Sequence, residues 1–332
     1  MISDIILTGI KPTGTPHLGN YLGAIKPALD MAKHNPDAKK LFFIADYHAL
    51  TTLKDKKKMA AYRKIIAATW LAFFKDVPGC TFYFQSDVPE IFELYWILSC
   101  YCPKGLLNRA HAYKALVSQN IEHHHDPDRQ INQGAFSYPV LMAADILLFH
   151  ANTVPIGPDQ KQHIEIAIEI VKTLNHQLNT PIPIPKPIID HQMDVVIGLD
   201  GRKMSKNYDN TIPLFADETI IKKRINKIKT NSTPLGSPLD PDTCHIIKLL
   251  SYLVPTPQLD DIKNKYRTGE IGYGHAKQYL LTAYMNYFQD ANSHYTEKLD
   301  QAVAEIRKNS AEVPAMAKKN LEKIKADLGL SI

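Results

Sequence analysis

The stretch Asp4–Asn20 reads DIILTGIKPTGTPHLGN, and its character changes twice within a few residues. The segment 4–8, with three apolar residues at its centre, predicts a short buried strand, and residues 9–16 predict a turn rich in glycine and proline. The pattern from about 17 to 33 predicts a helix. Because a strand, a loop and a helix in this order are typical of a nucleotide-binding βα unit, we expect the chain to begin with an α/β domain.

Further apolar runs continue this pattern along the chain. Residues 41–45 and 81–84 alternate with helical patterns at 57–74 and 90–101, which is typical of a parallel sheet with helices on both faces. From about residue 210 onward the pattern is helical, with breaks rich in proline, serine and glycine. We expect an α/β fold in which a Rossmann-like, doubly wound parallel sheet is followed by a C-terminal all-helical domain.

Length and composition favour a globular enzyme. A chain of 332 residues, 45% of them hydrophobic, can bury a large core and should form about two domains. The beginning of the chain lacks a secretory signal pattern and no apolar run approaches a membrane span, so we expect a cytoplasmic protein. Four irregularly spaced cysteines are too few for a disulfide framework or a two-by-two zinc site.

The positive charge of the chain is concentrated in its second part. Residues 1–200 hold 19 Lys and Arg against 19 Asp and Glu, whereas residues 201–332 hold 20 against 15. This asymmetry fits a neutral small-molecule domain followed by a domain that faces a polyanion. The basic run at 221–229 could equally be the solvated face of a helix.

The first motif that can handle a phosphate is His17-Leu18-Gly19-Asn20, at the predicted start of a helix. Helix N-terminal amides and the helix dipole attract phosphate, and a glycine lets a base or ribose approach the backbone. His17 and Asn20 would project donors from one helical turn. An ordinary N-terminal turn would share these features, so this motif alone is weak.

The second motif is Lys203-Met204-Ser205-Lys206-Asn207, which follows a glycine-containing turn. Two lysines three residues apart can close on a triphosphate and neutralise charge on the leaving pyrophosphate. Without the first motif, two lysines in a loop would usually be ordinary solvent-exposed surface residues. The two motifs in this order, about 185 residues apart, are far more specific than either one.

These motifs resemble the two signatures of class I aminoacyl-tRNA synthetases. HLGN is similar to the HIGH signature and KMSKN to the KMSKS signature. Asn20 replaces the final His, as is usual in the tryptophan and tyrosine subgroup. Asn207 replaces the final Ser, which keeps both lysines but changes the loop's geometry.

One carboxylate interrupts an apolar helical run. The run at 138–149 reads YPVLMAADILLF, and Asp145 falls on the same face as Tyr138, Leu141 and Met142. Burying a carboxylate without a partner is costly, so Asp145 either meets a structural donor or awaits a donor on the ligand. An indole N–H is the natural ligand donor for a pocket of aromatic size.

This run and residues 154–165, VPIGPDQKQHIE, closely resemble tryptophanyl-tRNA synthetases. The resemblance implies that Asp145 accepts the indole N–H, that Gln160 holds the α-amino end, and that His48 contacts the amino acid's polar end. A strand-end histidine bonded to backbone is the alternative for His48. The implied tryptophan-binding residues are Leu7, His48, Tyr138, Met142, Asp145, Val154, Ile156 and Gln160.

The same resemblance implies the nucleotide site. The implied ATP-binding residues are Lys11, Thr13, His17, Gly19, Asn20, Gly157, Asp159, Lys203, Met204, Ser205 and Lys206. The implied catalytic residues are His17, Asn20, Lys203 and Lys206. We expect no metal site on the protein, including at the run His123–His125, because adjacent histidines point in different directions.

The resemblance implies a tryptophan–tRNA ligase. Such an enzyme forms tryptophanyl-adenylate from tryptophan and ATP with Mg²⁺, without a tightly bound cofactor, and transfers the acyl group to tRNA(Trp). A homodimer is the implied assembly. The alternatives are a tyrosyl-tRNA synthetase, a nucleotidyltransferase, or a catalytically silent RNA-binding paralogue.

The implied domain boundary lies between residues 195 and 196. Residues 1–195 would form the Rossmann-like catalytic domain, with a dimerisation segment within about 85–150. Residues 196–332 would hold the lysine loop and a helical anticodon-binding domain. The last helix, at about 311–328, could pack back on the catalytic domain.

Overall fold

A parallel sheet of five strands organises the first part of the chain. The computed structural model describes residues 4–157, 160–189 and 196–331. The strands pair in the order β3-β2-β1-β4-β5, and all four pairs are parallel. The strands are β1 (Ile5–Ile10), β2 (Lys39–Ile44), β3 (Cys80–Phe84), β4 (Thr153–Ile156) and β5 (Lys186–Ile189). This confirms the predicted Rossmann-like sheet.

Helices flank the sheet and make up the ordered elements after β5. The α-helices of the described residues are α1 (Leu18–Asn20), α2 (Lys26–His34), α3 (Asp46–Ala49), α4 (Lys56–Phe74), α5 (Glu90–Tyr101), α6 (Lys104–Asn108), α7 (His111–Glu122), α8 (Gln133–Leu148), α9 (Lys161–Asn175), α10 (Glu218–Asn226), α11 (His245–Leu250), α12 (Thr256–Arg267), α13 (Tyr273–Lys298), α14 (Ala302–Asn309) and α15 (Glu312–Asp327). The predicted helical C-terminal region is confirmed. Within the described residues, no helix is both long and apolar enough to cross a membrane.

Two strands were not predicted from the sequence. β4 and β5 have four residues each, and each contains a proline, Pro155 or Pro187. Proline cannot donate a hydrogen bond to a sheet and usually lowers strand propensity. β5 lies at the edge of the sheet, where a missing N–H is tolerated.

The helix predicted at 17–33 is divided into three segments. α1 is followed by a π-helical segment, Tyr21–Ile25, and then by α2. Pro27 lies at the second position of α2, where it has no N–H to continue the α-helical pattern from the preceding turn. The π-helical turn before α2 accommodates the α-helical hydrogen bond that Pro27 cannot make.

The chain divides into two compact units. Unit 1 comprises Met1–Gly14, Lys26–Asp190 and Leu299–Ile332, and unit 2 comprises Thr15–Ile25 and His191–Lys298. In unit 1, the C-terminal helix α15 packs on α5 and α8. The boundary between a catalytic and an anticodon-binding domain, at residues 195 and 196, stays a prediction.

The interior of unit 1 is tightly packed between neighbouring strands. Gly9 of β1 lies beside Phe43 of β2. A Cβ atom at Gly9 would come within 2.5 Å of the Phe43 ring, so no larger residue fits there without movement.

The order of the strands reverses between β1 and β4, and open α/β sheets bind ligands at the carboxyl ends of strands beside such a reversal. The site is therefore expected at this edge of the sheet.

Candidate functional site

A fully buried carboxylate lies at the carboxyl edge of the sheet in unit 1. Asp145, on α8, is 0% exposed. The Nε2 atom of Gln85 donates to its Oδ1 at 2.8 Å and to its Oδ2 at 3.1 Å, and Nε2 of His48 lies 2.9 Å from Oδ2. Gln85 directly follows β3, and His48 lies in α3, which follows β2. Structural donors therefore meet Asp145 from two strand ends.

Gln85 is held at both ends of its side chain. Its Oε1 atom accepts hydrogen bonds from the backbone N–H groups of Tyr47 at 3.1 Å and His48 at 3.3 Å. The side chain is 0% exposed. Gln85 was not identified from the sequence, although a polar residue directly after the apolar run at 81–84 is the signal that could have identified it.

A second buried carboxylate ties β2 to β3. Asp46 is 5% exposed, and its carboxylate accepts hydrogen bonds from Ser86 Oγ at 2.6 Å and Ser86 N at 3.0 Å. Arg63 Nε lies 2.9 Å from the same carboxylate, and the Arg63 guanidinium lies 4.5 Å from the centre of the Phe84 ring. These contacts fix the backbone on both sides of Gln85.

Burial changes the proton affinity of the acids in this region. Burial raises the pKa of Asp145, and the hydrogen bond and charge of His48 oppose the rise. Burial also raises the pKa of Asp46, with opposition from Ser86 and Arg63. The Tyr83 phenol, 1% exposed, has its pKa raised by burial and by the charge of Asp145. The donors around each carboxylate therefore offset part of the cost of burying its charge.

The implied walls of the aromatic pocket belong to one hydrophobic cluster in unit 1. Leu7 and Val154 are buried members of this cluster, and Met142 and Ile156 are partly buried against it. His48 and Tyr138 meet edge to face, with ring centres 6.1 Å apart. The structure thus brings the implied ring-binding residues into one apolar region.

A short polar relay lies beside this cluster. The Tyr138 hydroxyl bonds the ring of His163, and His163 Nδ1 lies 2.9 Å from Gln160 Oε1. His163 is 2% exposed and was not identified from the sequence. Its position three residues after Gln160, on the buried face of α9, was the available signal. The relay orients the amide of Gln160.

Part of the implied nucleotide site also belongs to unit 1. Lys11 and Thr13 follow β1, Gly157 follows β4, and the Lys11 ammonium lies 5.8 Å from the centre of the Tyr138 ring. These residues lie at the carboxyl ends of the two strands where the strand order reverses. Asp159 lies outside the described residues.

In unit 2, the two signature motifs come into contact. The Gly19 N–H donates to the sulfur of Met204 at 3.3 Å, across 185 residues of sequence. Leu18 N donates to Ile212 O at 2.9 Å, just beyond the lysine loop. A Cβ atom at Gly19 would lie 3.0 Å from His17 Nδ1 and 3.4 Å from Met204 Cβ, so a larger residue would crowd both motifs. The structure therefore brings the two signature motifs together within one unit.

His17 is a buried, neutral imidazole. It is 7% exposed, and its backbone N–H donates to Asn20 Oδ1 at 3.1 Å. Burial and the nearby charge of Lys206 lower the pKa of His17 to about 4. Its Nδ1 is buried and makes no hydrogen bond to any described residue. His17 is thus poised to donate to or accept from a ligand as a neutral group.

The side chain of Asn210 holds the lysine loop in shape through hydrogen bonds. This buried side chain accepts from Ser205 N at 2.7 Å and donates to Asp200 Oδ1 at 2.7 Å and to Lys203 O at 3.0 Å. A Cβ atom at Gly198 would come within 2.3 Å of Asn210 Nδ2, so the close approach needs glycine. Asn210 lies outside the KMSKN motif and was not identified from the sequence.

The lysines of the loop face solvent. Lys203 and Lys206 are exposed, and partial desolvation of the Lys206 ammonium lowers its pKa to about 8. Asn207, which departs from the family signature, donates its backbone N–H to Ser205 Oγ at 3.3 Å in the short 3₁₀ turn Lys206–Tyr208. Arg224 of α10 binds the carbonyl of Asp209 at 3.1 Å and its carboxylate at 2.5 Å. The end of the loop is therefore anchored, while both lysines remain available to a polyanion.

Among the residues that the structure describes, no group of three or more His, Cys, Asp or Glu side chains could hold a metal ion. The run His123–His125 is exposed.

Comparisons with known proteins agree with this geometry. A family model described as class I tRNA synthetases (W and Y) matches residues 3–289. The chain belongs to this family. It contains both signatures of class I synthetases, in contact within unit 2.

Two curated relatives within the family share one name, tryptophan–tRNA ligase. The chain is 47% identical to the tryptophan–tRNA ligase of Pseudomonas aeruginosa over 293 residues, which are 87% of this chain and 65% of that protein. It is 40% identical to the tryptophan–tRNA ligase of Campylobacter jejuni over 328 residues, 98% of this chain and 99% of that protein. The chain spans less than two thirds of the length of the first curated relatives.

A solved structure agrees closely with the fold. The crystal structure of tryptophanyl-tRNA synthetase from Campylobacter jejuni in complex with ADP and tryptophan superposes with a TM-score of 0.87 at 39% identity. The match covers 98% of this chain and 100% of that chain. The predicted class of fold and the predicted family are both confirmed.

The lowered pKa of His17 predicts a pH-dependent stability. Because the folded-state pKa of about 4 lies below the ordinary value of 6.5, the unfolded state binds more protons between these values. Stability from this group is present above pH 6.5 and is lost as pH falls toward 4. Between pH 7 and pH 5, the wild type should lose about 2 kcal/mol more unfolding free energy than His17→Asn. Urea unfolding at both pH values checks this, and equal losses in the two proteins would contradict it.

Proposed function

We propose that the chain is a tryptophan–tRNA ligase, which activates L-tryptophan with ATP and transfers it to the 3′ end of tRNA(Trp). The observation that carries the proposal is the fully buried Asp145, held by two donors at the sheet edge of a class I synthetase of the W and Y family. The tryptophan–tRNA ligase relatives support the same substrate.

Asp145 can distinguish tryptophan from other amino acids. A buried acceptor that remains unpaired costs free energy, so a site built around it favours a side chain with a matching N–H donor. Such a site can reject a substrate that lacks the donor by roughly 10⁴–10⁵ without editing. Leu7, Met142, Val154 and Ile156 would supply the apolar walls, and Gln160, oriented by His163, would hold the α-amino group.

The first reaction is a displacement at phosphorus. An oxygen of the tryptophan carboxylate forms a bond to the α-phosphorus of ATP, and the bond from that phosphorus to the bridging oxygen of pyrophosphate breaks. Lys203 and Lys206 would balance the negative charge that accumulates on pyrophosphate, and neutral His17 would donate a hydrogen bond to a phosphate oxygen. The reaction needs no covalent nucleophile from the protein, so positioning and charge account for the catalysis. The remaining implied nucleotide contacts are Lys11, Thr13, Gly19, Asn20, Gly157, Asp159, Met204 and Ser205.

Mg²⁺ would enter as part of the ATP substrate. Mg²⁺ is usually held by phosphate oxygens and water, with few protein ligands. When bound, the ion supplies additional positive charge to the phosphates.

The second reaction transfers the tryptophanyl group from AMP to a hydroxyl of the terminal adenosine of tRNA. We assign the phosphate-facing surface to unit 2, where Lys222, Lys223, Lys227 and Lys229 are exposed on and just after α10. Lysine contacts to RNA phosphates release counterions and make binding dependent on salt. We also propose a cytoplasmic location, because tRNA and ATP meet there in translation.

A homodimer is the proposed assembly. Trp96 of α5 is 69% exposed, and Tyr47 and Leu50, also exposed, lie in the same unit. Tyr47 packs on Phe92 of α5 with ring centres 4.5 Å apart. Exposed aromatic residues on an apolar helix are typical of protein interfaces, and α5 lies within the predicted dimerisation segment.

The function is tested by ATP–pyrophosphate exchange with each of the twenty amino acids. Tryptophan alone should support exchange, and Asp145→Ala should abolish its selection because the buried acceptor is gone. Exchange driven by tyrosine would favour the tyrosyl-tRNA synthetase alternative. A folded wild type without exchange would favour a silent tRNA-binding paralogue.

Lys206→Ala should lower kcat by about 10²–10³ with a smaller change in KM, because the lysine balances charge that develops in the transition state. Single-turnover and steady-state exchange kinetics measure the two effects. Lys265→Ala, on α12 of the same unit and paired with Asp261, is the matched control and should leave both constants unchanged. Similar losses in kcat and KM for Lys206→Ala would contradict this prediction, and a raised KM with an unchanged kcat would indicate a role in ground-state binding instead.

Trp96→Glu should convert the dimer to a monomer, because a carboxylate would have to be desolvated in an apolar contact. Light scattering after size exclusion measures the mass directly. Leu330→Glu, at another exposed apolar position of unit 1, is the control that should stay dimeric. A wild type that elutes as a monomer would contradict the assembly.

A further inference from the structure

Gln85 uses every part of its amide group. Its oxygen accepts from two backbone N–H groups, those of Tyr47 and His48, and its nitrogen donates to both oxygens of Asp145. Because backbone N–H groups can only donate, they fix which end of the amide is the oxygen. The NH₂ end therefore has to face Asp145, and it cannot rotate away without losing bonds at both ends.

The donors around Asp145 leave one acceptor direction open. Each carboxylate oxygen can accept about two hydrogen bonds. Among the residues that the structure describes, Oδ2 receives Gln85 and His48, whereas Oδ1 receives Gln85 alone. A ligand N–H therefore has one position left on Oδ1, and its direction is set by the plane in which Gln85 holds the carboxylate.

Gln85 and His48 are not equivalent as donors. The imidazole of His48 has two tautomers, so whether its Nε2 donates to Asp145 depends on which tautomer is present. The amide of Gln85 does not titrate and has its orientation fixed by backbone. The residues on either side of Gln85 are also fixed. Ser86 donates hydrogen bonds to Asp46, and the Arg63 guanidinium packs on the Phe84 ring.

We infer that Gln85 is a specificity-determining positioning residue, which orients Asp145 so that the open side of Oδ1 selects substrates with an indole N–H. The inference rests on the proposed function and deepens it. Gln85 itself does not touch the reacting atoms. It acts through Asp145, and its effect should therefore appear in discrimination between substrates and not in the chemistry common to all of them.

The test compares tryptophan with 3-benzothienylalanine, in which sulfur replaces the indole N–H. Values of kcat/KM for both amino acids are measured in ATP–pyrophosphate exchange for the wild type, Gln85→Met and Gln85→Glu. Gln85→Met removes all hydrogen bonds of the amide. Gln85→Glu keeps an acceptor for the two backbone N–H groups, removes the donor to Asp145 and places a second carboxyl group beside that carboxylate.

Both variants should lose preference for tryptophan by about ten- to a hundredfold at neutral pH, the range of one hydrogen bond to a charged group. The value for 3-benzothienylalanine should change by less than about threefold, because that substrate never used the oriented acceptor. Asn175→Leu is the control, since Asn175 likewise bridges a backbone N–H and C=O, those of Ile182, in unit 1. Its preference should equal that of the wild type.

A pH series adds a readout that a purely structural role would not produce. In Gln85→Glu, two carboxyl groups face each other and share a proton more readily as pH falls. The protonated glutamic acid can again donate to Asp145, so the preference for tryptophan should recover at lower pH. His48, Tyr83 and Asp46 are the other ionisable side chains around this site, and the wild-type series measured in parallel is the reference for them.

Equal losses for both substrates in Gln85→Met and Gln85→Glu, or a preference that does not change, would overturn the inference. If Gln85→Met fails to fold, as judged by circular dichroism, the substrate ratio and pH series of Gln85→Glu decide the matter. A wild type without tryptophan-dependent exchange would contradict the proposed function itself, and with it this inference. Wild-type exchange with unaltered preference in the variants contradicts only the role of Gln85.

Discussion

Burying the charge of Asp145 is the constraint on which the sheet edge of unit 1 depends. A carboxylate with no solvent contact must be surrounded by donors, or its pKa rises until it is neutral. The donors come from two strand ends: Gln85 after β3 and His48 after β2. Those ends are in turn held together by Asp46, through Ser86 and Arg63. Parallel strands end at one edge, which is why residues distant in sequence can meet there.

Burial has a different consequence in unit 2. His17 has no acidic partner in its described surroundings, and the charge of Lys206 works against its protonation. The result is a neutral imidazole beside two exposed lysines, so positive charge is concentrated on the loop and not on the helix start. The lysine loop is shaped by Asn210, whose amide binds three groups of the loop. The charges of the loop and its shape therefore come from different residues.

The fold class and both signatures could be predicted from the sequence because they depend on local patterns. The strands β1, β2 and β3 are apolar runs, whereas β4 and β5 are short, contain proline and become strands through pairing. Gln85, His163 and Asn210 were missed for a related reason: each is a single polar residue whose partners lie far away in the chain. For Asp145, the sequence left open a structural donor or a ligand donor. The structure shows structural donors and an acceptor direction that they leave unused.

We expect the open direction on Asp145 Oδ1 to receive the indole N–H of tryptophan. A crystal structure of the wild type with bound tryptophan tests this directly. The indole nitrogen should lie at about 3 Å from Oδ1, with the bonds from Gln85 to Asp145 retained. An indole nitrogen that points away from Asp145, with the carboxylate bound only by His48 and Gln85, would contradict it.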